Sequence, residues 1–519
     1  IHYRIGNYKE SLINYQNALK FLQHGSKHEA LVTAATLNCI GVLHIHLSNA
    51  NLDEGIYILT EALNIRRSFL GDAHEDVATT LNNIGRLYYI QQEYQKALSL
   101  YSEALRTRRQ LLGNQHLDVA ATIYNCGQAW HQMQRYKEAM ELYEEFLFIV
   151  KARLGHKHRD VAVMLKCMAQ VHHELKEYDR ATELYQNALA VAYEALGQRH
   201  PEVAATLNKL GNLMYEKGDF VAAIEMYERG LQIERMILEP CHPNIVVTLT
   251  NIGQVKKNQG DLTGALQMYD QALKLQRLSL PSNHPNLALT LSSIGLLHYQ
   301  CRSYNKSLDM YQEALTIRRS NNGDKTLEVA STLNSVGLVL FKMQLYSYSL
   351  EIFTASLEIR RNLLGSVHQD VAIILYNIGT VLLESGDEEE AIKTFKETLR
   401  VEREALSRHH PDVIMTLQHI GQIHQERGYL EEALGYFNEA LDAQRHLSKH
   451  LERDTTIAQI LNQMGNIYLQ RSEIAQAMDA YSHALRIYRL AGHPDSELSV
   501  QGFKQYNMSV CHPEAAPVA

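Results

Sequence analysis

The sequence predicts an all-α chain, a right-handed superhelical solenoid of stacked helix-turn-helix repeats, and two observations carry that reading. A glycine returns at a fixed interval through the 519 residues, and the apolar residues around it are spaced as on one face of a helix. The glycines are Gly41, Gly85, Gly127, Gly211, Gly253, Gly295, Gly337, Gly379, Gly421 and Gly465, with Ala169 in the one gap. The steps are 44 residues at each end (41 to 85, 421 to 465) and 42 between.

The first helix of each unit carries the glycine, usually as Leu-x-x-(Ile/Leu)-Gly; in the second repeat its apolar side reads Leu81, Ile84, Gly85, Tyr88. The second helix follows as Tyr94, Ala97, Tyr101, Ala104, again at i+3/i+4 spacing. Small residues stand where the two helices approach. Aromatics recur to fill the wedge between units, as Tyr136/Tyr143, Tyr178/Tyr185, Phe220/Tyr227 and Tyr304/Tyr311. The second helix must stop at Gly71, Gly113, Gly155, Gly197, Gly323 and Gly365, where glycine accepts a left-handed C′ conformation. The next helix then starts on His200-Pro201-Glu202, His242-Pro243, His284-Pro285 or His410-Pro411-Asp412. Proline suits the first helical position and an acid in the first turn suits the helix dipole.

This Leu-Gly-x-x-Tyr, Ala-x-x-x-aromatic pattern resembles the tetratricopeptide repeat, whose unit has about 34 residues. The extra eight residues lie from Leu105 to Gly113 and in the loop to His116-x-Asp118-Val119-Ala120. A 42-residue unit with a Leu-Gly-x-x-His-Pro-(Asp/Glu)-Val-Ala linker is similar to the kinesin light chain repeat domain and to the nephrocystin-type ciliary proteins. The heptad coiled coil by which kinesin light chains hold the heavy chain is not found here, so only the cargo-binding half of the resemblance carries over. The resemblance implies a cytoplasmic setting, cytoskeleton- or cilium-associated. The expected organisation is a partial repeat over 1–29 (second helix only), eleven repeats over 30–490, a capping helix over 491–510 launched by His493-Pro494-Asp495, and a loose tail over 511–519.

Composition narrows the function. Net charge is −8, with 50 Lys and Arg against 58 Asp and Glu, which gives no drive toward nucleic acid or an anionic membrane. No apolar run is long enough to span a bilayer. The six cysteines (Cys39, Cys126, Cys167, Cys241, Cys301, Cys511) form no CxxC pair and suggest neither a disulfide framework nor a zinc site. His158-Arg159-Asp160 imitates a kinase loop without the following Asn, and Gly323-Asp324-Lys325-Thr326 imitates a phosphate loop without its upstream glycine or strand. Eight linker histidines (His74, His116, His158, His200, His242, His284, His368, His410) come one per unit, too dispersed for a metal site and suited to capping. No catalytic group, metal or cofactor is expected.

A basic column (Arg67, Arg109, Lys151, Arg235, Arg277, Arg319, Arg361, Arg403, Arg445, Arg489) is expected to pair with first-turn acids such as Asp76 and Asp118, the alternative being a strip that attracts an anionic partner. The candidate binding site lies on the first helices. In this fold the residues three before, two before and one after the glycine face inward, which gives a peptide-binding groove of Asn82, Asn83, Arg86, Asn125, Gln128, Asn208, Asn212, Asn251, Gln254, Asn334 and Asn377. Lys166, Gln170, Asn462 and Asn466 share the register. Asparagine is a mediocre helix former, and a carboxamide both donates and accepts, as an extended peptide backbone requires. The opposing reading is that these amides bond repeat to repeat. Lys166 and Lys209 come nearest to a clamp for chain-terminal carboxylates, but Gln170 stands where that clamp needs asparagine. The expected function is therefore a non-enzymatic scaffold or cargo adaptor that binds other proteins through linear peptide segments, with association in a larger complex. The alternative is the sensor or autoinhibitory arm of a signalling or effector protein whose domain precedes Ile1.

Overall fold

The computed structural model describes residues 8–21, 26–46 and 52–492. Among them stand 23 α-helices, one short 3-10 turn at Leu451–Arg453, and no strand. The chain divides into two compact units, Ile1–Asp261 and Leu262–Ala519. The partial repeat is represented by the helix Tyr8–Phe21. The capping helix and tail expected after residue 491 lie outside the described residues, apart from Ala491 and Gly492.

Within each unit shorter and longer helices alternate. In the first, Glu75–Ile90, Leu117–Gln132, Arg159–Glu174 and Pro201–Glu216 are first helices of 16 residues. Each packs against the following second helix, Tyr94–Leu112, Tyr136–Leu154, Tyr178–Leu196 or Phe220–Ile237, and that helix then packs against the first helix of the next repeat. The second unit repeats this from Pro285–Gln300 with Tyr304–Asn322 through to Thr455–Gln470 with Ile474–Ala491. The extra residues of the 42-residue unit lengthen the second helix, to 19 residues in Tyr94–Leu112, about 28 Å of helix.

Why the helices pair where they do follows from the glycine. A methyl group built on Gly85 would lie 2.6 Å from the Tyr101 ring, on Gly127 2.5 Å from Tyr143, on Gly211 2.8 Å from Tyr227 and on Gly337 2.7 Å from Phe353. The aromatic of the second helix thus lies flat against bare backbone of the first. Tyr101, Tyr143, Tyr185, Phe353, Phe395 and Phe437 are among the largest fully buried side chains. The other aromatic column caps the turn: Tyr94 meets Tyr89 edge-on at 5.5 Å, Tyr136 meets His131 at 5.9 Å and Tyr304 meets Tyr299 at 5.8 Å. Where serine replaces the small alanine of the second helix, its hydroxyl donates to the glycine carbonyl, Ser307 to Gly295 at 2.7 Å and Ser349 to Gly337 at 2.8 Å.

Helix starts are capped as the linkers imply. In all eight linker histidines Nδ1 accepts from the backbone N–H two residues on, from 3.0 Å at His368 to 3.3 Å at His410. Thr326 and Asp454 do the same work in the two linkers without that histidine. Helix ends differ from the expected left-handed form. Gly113, Gly155 and Gly197 have φ of 80°, 87° and 79° but ψ of 162°, 167° and 170°. That corner of backbone space is essentially closed to any residue with a Cβ.

Two glycine substitutions should therefore act with opposite sign, although neither added methyl meets a neighbour within 4 Å. Gly155→Ala should cost about 1–3 kcal/mol through backbone strain alone. Gly435→Ala, inside the helix Leu430–Leu447, should gain about 0.5–1 kcal/mol through helix propensity. Paired thermal melts check this; two changes of the same sign would contradict the backbone argument.

Candidate functional site

The amides of the first helices are placed on neighbouring repeats so that many bond one another. Asn83 Nδ2 donates to Asn38 Oδ1 at 3.1 Å, Asn125 to Asn82 at 2.9 Å and Asn377 to Asn334 at 2.9 Å. Asn208 donates to Glu234 and to Thr248, both at 2.9 Å, and Asn212 accepts from the Tyr227 hydroxyl at 2.5 Å. Gln128 donates to the Tyr143 hydroxyl at 3.0 Å, and Gln254 reaches the Tyr215 hydroxyl at 3.4 Å. Lys166 pairs with Glu202 at 2.6 Å, Gln170 donates to Glu174 at 3.0 Å, and Asn466 accepts from Tyr481 at 2.6 Å. Asn83 is buried; the other ten groove candidates, Asn251 included, are half-buried.

Three of those candidates meet in one place. Arg86, Asn125 and Gln128 line a cleft of about 280 Å³ together with Tyr89, Tyr101 and Tyr124. Arg86 forms no hydrogen bond or ion pair with the described residues, and its charge opposes the burial that pushes the Tyr101 hydroxyl well above its ordinary range. The cleft thus presents one cation, aromatic walls and two amides already oriented by their own bonds.

The basic column pairs, but with other partners than expected. Arg67 bonds Glu103 at 2.5 Å, Arg109 bonds Glu145 at 2.6 Å, and Arg277 and Arg361 bond Glu313 and Glu397 at 2.7 Å; Arg403 likewise meets Glu439. Each of these glutamates stands on the next second helix, 36 residues on, so these five pairs run along the second-helix face, whereas Arg319 pairs with Asp324 and Arg445 with Asp442. The group that reaches the next first helix sits one residue earlier. Arg66 donates to the Asp76 carbonyl at 2.9 Å and Thr80 Oγ1 at 2.7 Å; Arg108 donates to Asp118 O at 3.1 Å and Thr122 Oγ1 at 2.8 Å. In that buried column Glu234 and Glu402 replace arginine and accept from Thr248 and Thr416.

A sequence pattern of the tetratricopeptide repeat matches residues 32–110, 80–149, 160–235, 244–320, 328–404 and 370–446. The chain belongs to the tetratricopeptide repeat family. A comparison with curated proteins finds no match. Among solved structures the chain is similar to the apo form of RapI, at 18% identity and a TM-score of 0.53, over 72% of this chain and 98% of that one. It is also similar to BtubC (BKLC) from P. vanneervenii, at 24% identity, a TM-score of 0.39 and coverage of 44% and 92%. A putative kinesin light chain with nearly identical repeats from Podosopora anserina gives 14% identity, a TM-score of 0.36 and coverage of 39% and 96%.

In this tetratricopeptide array, among the described residues, no group of three or more His, Cys, Asp or Glu side chains could hold a metal ion. No described helix is long and apolar enough to cross a membrane. The buried column, which sequence reasoning missed because it followed the more regular arginines beside it, gives the array a titration. Glu402 is 3% exposed, its Oε2 has no hydrogen-bond partner, and burial with the nearby Asp412 charge pushes its carboxyl up to about 7. A carboxyl raised on folding keeps its proton in the folded chain where the unfolded chain has lost it. Its contribution is thus intact below about 4.5 and is lost as pH rises through about 7. Glu402→Gln should therefore change little at pH 4 and stabilise by about 1–3 kcal/mol at pH 8. Denaturant melts of both chains at the two pH values check this; parallel pH profiles would contradict it.

Proposed function

We propose that the chain is a non-enzymatic scaffold that takes an extended peptide segment of another protein along its first-helix face, in a cytoplasmic setting and as a cargo adaptor. Membership of the tetratricopeptide family supports the interaction role, and the cleft at Arg86 supports the peptide face. There the inward register gathers a guanidinium with no ion partner among the described residues, two amides fixed by Asn82 and Tyr143, and three tyrosine rings. An extended peptide offers each of these a counterpart: carbonyls for the donors, N–H groups for the amide oxygens, side chains for the rings.

The test separates binding from folding. Arg86→Ala should leave the melting temperature within experimental scatter, since no described residue loses a hydrogen bond. It should weaken a peptide isolated on the native chain from a displayed random library by about tenfold or more, as expected for a charge-assisted contact. Asn125→Ala should lower both affinity and stability, because it also removes the bond to Asn82. Unchanged peptide affinity in Arg86→Ala, measured by titration, would contradict the proposal.

A further inference from the structure

Several groove amides are spent on the neighbouring repeat, Asn125 on Asn82 and Asn377 on Asn334, but four glutamines of the last two described repeats make no hydrogen bond to another repeat. Gln418 and Gln422 stand three before and one after Gly421 on the helix Pro411–Glu426, and Gln459 and Gln463 stand on the next first helix, Thr455–Gln470. Gln418 and Gln459 make no hydrogen bond with any described residue. Gln422 donates only along its own helix, to Glu426 at 3.0 Å, and Gln463 accepts only from Asn466 at 3.5 Å. Gln422, Gln459 and Gln463 are exposed. No cross-repeat ladder like Asn82–Asn125 joins them.

These four glutamines line a cleft of about 390 Å³ together with His419, Phe437, Asn462 and Tyr488. The lining contains no Lys, Arg, Asp or Glu. His419 stacks on Phe395 at 5.9 Å and meets Tyr376 edge-on at 5.5 Å, and burial pulls its pKa down, so it too stays neutral near pH 7. A charged side chain entering this cleft would trade hydration for neutral lining groups, the Glu426 carboxylate beside them being already engaged by Gln422.

The spacing favours a backbone. Residues four apart on a helix are about 6 Å apart along its axis. Backbone groups on one side of an extended strand recur about every 6.6 Å. A strand running along the two first helices therefore meets Gln418 and Gln422 on one side and Gln459 and Gln463 on the other, each able to donate and accept.

We propose that this cleft is a second subsite of the peptide face, specific for an extended, uncharged stretch of chain rich in Ser, Thr, Asn, Gln or Gly. The inference rests on the peptide-binding reading above, but it names a different place and a different chemistry from the cationic cleft at Arg86.

The test pans one displayed library of random dodecapeptides on the full 519-residue chain and on its Gln418→Ala/Gln459→Ala variant. Circular dichroism confirms that the variant folds. Peptides retained by the native chain and lost from the variant should share a run free of Asp, Glu, Lys and Arg. A synthetic peptide of that set should bind the variant about 5- to 150-fold more weakly, the loss of two neutral hydrogen bonds. Gln459→Glu, at an exposed position, should instead admit peptides with Lys or Arg in that run. Charged residues within the run selected by the native chain would overturn the proposal. So would peptides that bind both chains equally; if those peptides are lost from Arg86→Ala, the groove reading stands and only this subsite falls. Enrichment of no peptide on the native chain would overturn both.

Discussion

The array depends on one contact: an aromatic ring of the second helix lying on the bare backbone of a glycine in the first. Amphipathic helices in water need a partner surface, because most of their stability comes from packing the apolar face and little from propensity. The rings of Tyr101 and Phe353 lie so close to Gly85 and Gly337 that a methyl there would stand within 3 Å of them. Ala169 over Tyr185 marks how small the alternative must be. Once this pair is seated, the direction of both helices is set, and so is the face each repeat shows to the next.

That contact is also what made the fold legible. A glycine every 42 residues, an aromatic 16 residues after it and a His-Pro or His-x-Asp linker are local signals, each tied to a short-range requirement of packing or capping. What the sequence did not reveal depends on reach between repeats. The arginine column was visible, but five of its members pair with glutamates 36 residues on and not with the acids of the next first turn, because the side chains run along the second-helix face. The column one residue earlier mixes Arg66, Arg108, Glu234 and Glu402, so it has no single composition to notice. The glycine stops were found correctly, yet their ψ near 165° required coordinates.

The candidate site was half legible for the same reason. Register picked out Arg86, Asn125 and Gln128, which share a cleft, but not whether the hydrogen bonds of such residues are already taken. Asn125 and Asn377 spend theirs on the preceding repeat, whereas Gln418 and Gln459 do not. The polar face therefore does two jobs in different places: it joins successive first helices where the amides interlock, and it offers free donors and acceptors where they do not.

If the glycine–aromatic seat is local, its failure should be local too. Hydrogen exchange read by mass spectrometry on the native chain and on Gly337→Leu tests this most directly, because the added side chain collides with the Phe353 ring. Protection should be lost in Leu327–Lys342, Tyr346–Leu364 and the helices that touch them, with Glu75–Ile90 and Tyr94–Leu112 exchanging as before. A uniform loss of protection across every helix of the chain would contradict it.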